Sequence, residues 1–220
     1  GWADRLAELL ARVAYEAGES FKYANLALRG SSLYDILTAQ LEDALQLRPD
    51  FVTIFAGSND FMRAKKSHPE MRALLRGAIE RLHATGAHVL LVNTVNPVHL
   101  KLFQPLAYKA KAMTDLINSV AEEYEVPVLD LFSVNEFSKL EFWCDDMVHF
   151  SGHGHINVAN RAARLIGLDQ GFEETDFDQM ERPDRRPLAV MKWTVQHVIP
   201  YLVRRVRRRS SGDGLEPKHD

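Results

Sequence analysis

Apolar and polar positions follow a helical period in some stretches of the chain and a strand-like pattern in others. Apolar residues recur at helical spacing over residues 3–17, and the apolar run over residues 51–56 is typical of a strand buried on both faces. The same patterns predict further strands over residues 21–28, 87–93 and 126–130, and further helices over residues 33–47, 68–85, 105–124 and 151–166. Strands that alternate with helices of this length indicate βαβ units, and therefore an α/β fold of three layers, α/β/α, around a parallel sheet.

The character of the chain changes after the last of these helices. Residues 169–187 are acidic and contain prolines, which predicts a linker. Residues 188–209 combine apolar positions at helical spacing with an arginine-rich end, which predicts an amphipathic basic helix that lays Trp193 on the domain or on a lipid interface. Residues 210–220 have the composition of a disordered tail. We therefore expect one domain over residues 1–168 and three smaller segments after it.

Composition and charge limit the partners and the location that we expect for this protein. The 27 Lys and Arg residues against 30 Asp and Glu residues give a net charge of -3, so nucleic acid is not expected as a partner. The basic end of the predicted helix leaves open a weak contact with anionic membranes. No apolar run is long enough for a membrane span, and no signal peptide is visible, so we expect a cytoplasmic protein.

Polar and glycine residues follow the predicted strands at the positions where doubly wound sheets bind ligands. Asn25-Leu26-Ala27-Leu28-Arg29-Gly30 closes the first visible strand, Gly57-Ser58-Asn59-Asp60 follows the second, and Asp146-Met147-Val148-His149 precedes the last helix. Together and in this order, these blocks resemble the conserved blocks of the SGNH/GDSL hydrolase family over about residues 2–168. The resemblance implies a flavodoxin-like parallel sheet.

The resemblance also implies a reaction and a role for each block. A serine hydroxyl is a weak nucleophile, so it needs a base and a carboxylate that orients the base. His149 would be the base and Asp146 the orienting carboxylate, while Gly30 and Asn59 would donate to the oxyanion. The supporting residues of these blocks are Gly57, Asp60 and Asn25. The implied activity is that of a serine esterase or lipase that cleaves a small-molecule ester through an acyl-enzyme, with no metal and no other cofactor.

The family's first motif, Gly-Asp-Ser with the nucleophilic serine, is absent from this sequence. Residues 1–6 resemble the start of the helix that comes after that motif, so we expect the serine upstream of Gly1 and assign it to no serine of the chain. In the family's strand order 2-1-3-4-5, the first strand would lie between residues 21–28 and 51–56. This chain by itself is therefore expected to be poorly stable and to lack hydrolase activity.

Other interpretations of the same residues remain. His149, His153 and His155 could suggest a metal site, but glycines interrupt their spacing and no carboxylate or cysteine completes a ligand set. A lone cysteine such as Cys144 is more often a small buried apolar residue than a nucleophile. The loop over residues 95–104 is expected to line the substrate pocket. A non-catalytic α/β binding module that kept the hydrolase scaffold is the alternative to an enzyme.

Overall fold

The chain divides into two compact units in a computed structural model. One unit combines residues 1–25 with residues 136–220, and the other comprises residues 26–135. The structure describes residues 1–63, 68–99, 101, 103–173, 192–193, 195–196 and 218–219. The single domain expected over residues 1–168 stays a prediction.

The order of elements matches the alternation that the sequence predicts. In chain order they are α1 (Trp2–Glu16), β1 (Ala24–Asn25), α2 (Leu33–Asp35), a π-helical turn (Ile36–Gln40), α3 (Leu41–Gln46), β2 (Phe51–Phe55), α4 (Ser58–Arg63), α5 (His68–Ala84), β3 (His88–Val92), α6 (Ala107–Glu123), β4 (Val128–Leu129), α7 (Gly152–Leu165) and β5 (Lys218–His219). The sequence did not predict α4, which begins inside the Gly57-Ser58-Asn59-Asp60 block.

A parallel sheet forms the centre of the unit of residues 26–135. Its strand order is β2-β3-β4, with Phe51 opposite His88 and Leu91 opposite Val128. Among the residues that the structure describes, β2 and β4 are the edges of this sheet. The predicted α/β class, with a parallel sheet flanked by helices, is confirmed.

The core of this unit packs helices against β3. Val89, Leu90, Leu91 and Val92 of β3 are all at most 3% exposed. The fully buried helix residues around the sheet include Leu75, Ile79, Leu82, Met113 and Val120. Burying one such aliphatic side chain contributes roughly 1.5–3 kcal/mol, so this core holds the strand ends that carry the loops of the candidate site.

Two strand predictions need correction. The strand expected over residues 21–28 is reduced to Ala24–Asn25, and the run over residues 51–56, expected to be buried on both faces, leaves most of β2 half-buried. Ile54 is the buried residue within β2. The reason is that β2 lies at an edge of its sheet, where a strand has a neighbour on one side only. The apolar run specified a strand but not its number of neighbours.

The other unit is built on the packing of α1 against α7. The buried side chains of α1 are Trp2, Leu6, Ala7 and Leu9, and α7 contributes the small residues Ala159, Ala162 and Ala163. Small side chains at such a contact let two helices approach closely. Ser151 caps the start of α7, because its hydroxyl accepts from the backbone N–H of Gly154 at 3.2 Å.

Most of the chain after residue 173 lies outside the described residues, including residues 174–191 and 197–217. The predicted linker and basic helix therefore stay predictions, apart from Trp193 and its described neighbours. The predicted disorder of residues 210–220 needs correction at Lys218–His219, which pair antiparallel with Ala24–Asn25. A short strand with open backbone groups can take such a partner whatever the composition of that partner. Among the described helices, none is long and apolar enough to cross a bilayer.

Candidate active site

Two aromatic residues flank the loop that carries Asp146 and His149. Trp143 and Phe150 face each other in an antiparallel bridge with their rings stacked at 5.0 Å. Within that bridge, the backbone N–H of Cys144 donates to the carbonyl of His149 at 2.8 Å. The indole of Trp143 donates to the carbonyl of Phe137 at 2.9 Å. The two ends of the loop are therefore fixed together, and the residues between them form a closed turn.

Asp146 and His149 meet inside this turn. His149 Nδ1 lies 2.5 Å from Asp146 Oδ2, and Asp146 Oδ1 accepts from the backbone N–H groups of Val148 and His149 at 3.0 Å each. Met147 allows the turn by adopting a left-handed φ of 54°, which is uncommon for a residue with a side chain. Both oxygens of the carboxylate are thus held by its own loop.

These contacts determine the charge of the pair. Partial burial by itself would raise the pKa of Asp146, but the hydrogen bonds from the His149 ring and from two backbone N–H groups outweigh it and hold the pKa well below its ordinary value. The carboxylate therefore stays ionised and keeps a proton on Nδ1 of His149. Nε2 is then the nitrogen that can accept a proton.

The imidazole of His149 is accessible. Its side chain is 43% exposed, and within the described part of the chain its ring hydrogen-bonds to Asp146 alone. A histidine with one nitrogen held by a carboxylate and an accessible second nitrogen can act as a general base. The structure brings the two predicted residues together, and their catalytic roles stay predictions.

The second group of predicted residues lies in the unit of residues 26–135, on two loops. Gly30 adopts a φ of 83° in the turn before α2, and Gly57 adopts a φ of 106° directly after β2. Asn59 Nδ2 donates to the carbonyl of Ser31 at 3.0 Å. Asp60, which is 8% exposed, accepts from the backbone N–H of Leu33 at 2.8 Å. These bonds tie the predicted oxyanion residues Gly30 and Asn59 into one substructure.

Gly57 is required by its surroundings as well as by its backbone. A Cβ at this position would lie 2.7 Å from Met113 Cγ and 3.2 Å from Thr94 Cγ2. Thr94 and Thr114 are themselves buried and joined by a hydrogen bond of 2.8 Å between their hydroxyls. The loop that begins the Gly-x-Asn-Asp block is therefore pressed against α6, and a side chain at Gly57 would displace it.

Asn25, the remaining predicted residue, lies with α1 in the unit that also contains His149. Its Nδ2 donates to Asp4 Oδ1 at 3.1 Å, and the hydroxyl of Tyr23 donates to the same oxygen at 2.9 Å. Asn25 therefore fixes β1 to the start of α1. The roles expected of His149, Gly30 and Asn59 in one reaction stay predictions.

Two serines of the chain use their hydroxyls to cap helices. Ser32 caps α2 by accepting from the N–H of Asp35, and Ser151 donates to the carbonyl of Glu141 at 2.8 Å while capping α7. Serine is among the residues preferred at this position of a helix.

His155 and Cys144 are two further residues of this unit with reactive side chains. His155 Nδ1 accepts from the backbone N–H of Trp2 at 3.1 Å, and burial, together with the smaller effect of the N-terminal charge, lowers its pKa to about 4. Cys144, expected to be buried, is exposed. Among the described residues, no group of three His, Cys, Asp or Glu side chains could hold a metal ion.

One contact reaches this site from the segment predicted to be an amphipathic helix. The indole N–H of Trp193 donates to the carbonyl of Asp145, the residue before Asp146. Sequence reasoning missed the Trp193 contact, since no periodicity encodes a contact across 48 residues.

The loop over residues 95–104, which was expected to line the substrate pocket, is described only in part. Leu100 and Leu102 lie outside the described residues, and Val98 is exposed.

Comparisons with known proteins show the family of this chain and structures that share its fold. The family model described as the GDSL-like Lipase/Acylhydrolase family matches residues 1–155. No curated protein matches the chain.

Solved structures share the fold. Axe2, an acetylxylan esterase from Geobacillus stearothermophilus, is 23% identical with a TM-score of 0.63 over 80% of this chain and 84% of that one. The acetyl xylan esterase AlAXEase is 18% identical with a TM-score of 0.63, covering 76% of this chain and 90% of that one. LAE5, an alpha/beta hydrolase enzyme from the metagenome of Lake Arreo, Spain, is 18% identical with a TM-score of 0.64, covering 78% and 83%. At such identities the likeness concerns the fold.

Proposed function

The chain belongs to the GDSL-like lipase/acylhydrolase family of ester hydrolases, and from this membership we propose that it carries the base and the oxyanion donors of a serine esterase. The observation that carries the proposal is the Asp146–His149 pair, with 2.5 Å between Oδ2 and Nδ1 and an accessible imidazole. A carboxylate that fixes the tautomer of a histidine is what the activation of a serine hydroxyl requires.

In the proposed reaction, His149 Nε2 accepts the proton of a serine hydroxyl as its oxygen attacks the ester carbonyl. The tetrahedral oxyanion accepts hydrogen bonds from the backbone N–H of Gly30 and from the side-chain amide of Asn59. His149 then passes its proton to the departing alcohol, which leaves an acyl-enzyme. A water molecule attacks the acyl-enzyme, His149 takes the proton of that water, and the carboxylic acid and the free serine are released.

The low pKa of Asp146 supports this cycle over a wide range of pH. Asp146 keeps its negative charge under mildly acidic conditions, so the orientation of the ring is not lost there. The imidazolium that forms during the attack is stabilised by the adjacent carboxylate.

We propose that the nucleophile is a serine outside these 220 residues and that this chain alone does not hydrolyse esters. Two arguments support this. Ser32 and Ser151 use their hydroxyls to cap helices, and the His149 ring has no serine partner within the described residues. In addition, no strand of the described residues pairs with the outer edge of β2, and an added parallel strand could pair there.

A short-chain ester is the proposed substrate. Two of the proteins that share the fold are named as acetylxylan esterases, which makes acetyl esters the first class to test. A panel of p-nitrophenyl esters from acetate to decanoate, assayed on the full-length gene product, would rank acyl lengths. We expect the highest kcat/KM with acetate, and a maximum at decanoate would contradict the short-chain proposal.

A serine-directed fluorophosphonate probe tests the mechanism. We expect labelling of the full-length gene product, loss of labelling in His149→Ala, and no labelling of the 220-residue chain. Stoichiometric labelling of the 220-residue chain that His149→Ala prevents would place the nucleophile inside it. If the full-length gene product neither labels nor hydrolyses any ester of the panel, the esterase proposal fails and the binding-module alternative takes its place.

A further inference from the structure

Asp60 is a buried carboxylate to which the proposed reaction assigns no chemical step. It is 8% exposed and follows Asn59 directly in the chain. Its Oδ2 accepts from the backbone N–H of Leu33 at 2.8 Å, a bond that spans 27 residues of sequence. A buried carboxylate is costly unless it is hydrogen-bonded, so a contact of this kind indicates a specific structural requirement.

The bond from Leu33 acts together with a second one. Asn59 Nδ2 donates to the carbonyl of Ser31 at 3.0 Å, so adjacent residues of α4 hold two positions of the other loop. Two parallel attachments fix the separation of two loops and also their relative rotation. Gly30 directly precedes Ser31 and adopts a φ of 83°, so the attachment at Ser31 restrains the turn that carries Gly30.

From this geometry we infer that Asp60 is a positioning residue: through the backbone N–H of Leu33 it holds the Gly30 turn against Asn59, so that the two oxyanion donors keep their relative placement. The inference rests on the proposed function, because it assumes that Gly30 and Asn59 donate to the oxyanion. Oxyanion donors act only at short, well-aligned distances, and a displacement of about 1 Å can cost on the order of 100-fold in rate.

The bond from the backbone N–H of Leu33 requires an acceptor oxygen on Asp60. An asparagine offers the same acceptor without the charge. The inference therefore predicts that Asp60→Asn retains what Asp60→Ala loses.

The experiment measures kcat and KM for p-nitrophenyl acetate in the full-length gene product and its variants. For Asp60→Ala we expect kcat to fall by about 30- to 100-fold with KM changed by less than about threefold, because the donors act in the transition state. For Asp60→Asn we expect kcat within about fivefold of the wild type. Gly86→Ala, which strains the backbone at a φ of 86° without a steric contact, is the stability control and should retain kcat.

A second measurement does not depend on activity. Hydrogen exchange of the peptide that covers residues 30–36 in the 220-residue chain should become faster in Asp60→Ala and stay close to wild type in Asp60→Asn. Unchanged kcat in Asp60→Ala, or an equal loss in Asp60→Ala and Asp60→Asn, would overturn the inference.

Failure of the proposed function has a separate signature. If His149→Ala and Asn59→Ala hydrolyse p-nitrophenyl acetate at the wild-type rate, the assignment of the base and the donor is wrong. If those variants are inactive while Asp60→Ala retains full kcat and normal exchange of residues 30–36, only the inference about Asp60 is wrong.

Discussion

The Asp146–His149 turn and the pair of loops that carries Gly30 and Asn59 are held together in opposite ways. Asp146 and His149 are three residues apart, and the contacts of the carboxylate come from its own turn. The two loops are joined by hydrogen bonds that span 28 and 27 residues. The first region depends on a local sequence, whereas the second depends on the packing of a whole unit.

This difference suggests where each region is vulnerable. The turn should tolerate damage elsewhere in the chain and fail through its own residues. The loops should fail through substitutions that alter their packing, even at residues that touch no substrate.

The largest effect is expected at the centre of the local turn. His149→Ala removes the proposed base, and loss of a triad member typically lowers kcat by about 10⁴-fold or more. The measurement is kcat for p-nitrophenyl acetate in the full-length gene product, with urea unfolding as a check on stability. Because His149 is 43% exposed, the free energy of unfolding should change little.

The matched control is His88→Ala, which removes an exposed histidine at the start of β3. We expect its kcat to stay within about twofold of the wild type, since surface substitutions rarely matter. A comparable loss of kcat in both variants would mean that the effect is not specific to His149.

The next largest effect is expected in the loops that carry Gly30 and Asn59, which depend on packing. In Gly57→Ala a methyl group would meet Met113 Cγ at 2.7 Å, at a φ of 106° that disfavours any side chain. Overpacking typically costs about 1–3 kcal/mol and backbone strain adds about as much, so we expect a loss of about 3 kcal/mol and a drop in kcat of roughly 100-fold. Urea unfolding of the 220-residue chain and kcat of the full-length gene product give the two values.

Gly86→Ala is the matched control, because Gly86 also has a positive φ of 86° but no neighbour within 4 Å of an added Cβ. It should lose only about 1 kcal/mol from backbone strain and retain kcat. Equal destabilisation in Gly57→Ala and Gly86→Ala would show that contact with Met113 does not matter.

The strands beneath these loops allow a finer comparison. Val89 of β3 is 3% exposed, while Val52, its partner in the register, lies on the edge strand β2 and is half-buried. Val89→Ala should cost about 2 kcal/mol and Val52→Ala about 1 kcal/mol or less, because less apolar area is lost at the edge. Urea unfolding of both variants measures the difference, and equal losses would mean that β2 is as buried as β3.

The sequence predicted what depends on local pattern. The period of apolar residues located α5, β3, α6 and α7 to within a few residues, and the resemblance of the Asp146–His149 block to the hydrolase family suggested that these two residues act together. It did not predict the half-burial of β2, since an apolar run does not specify how many neighbours a strand has. The bonds from Asn59 to Ser31 and from Leu33 to Asp60 were also missed, because each depends on how two distant loops come together.

The last effect concerns the pH dependence of stability in the unit that contains the Asp146–His149 turn. Burial lowers the pKa of His155 from 6.5 to about 4, so the unfolded chain takes up a proton on this residue at a higher pH than the folded chain does. Its contribution to stability is therefore complete above about pH 6.5 and declines as the pH falls toward 4.

We expect the free energy of unfolding of the 220-residue chain to decrease from pH 7 to pH 4.5, and to decrease less in His155→Asn. The asparagine oxygen can still accept from the backbone N–H of Trp2, so the hydrogen bond is retained while the titrating group is removed. His88→Asn, at an exposed histidine, should follow the wild type. If His155→Asn shows the same pH dependence as the wild type, the acid sensitivity of this unit originates elsewhere, and its carboxylates become the next groups to test.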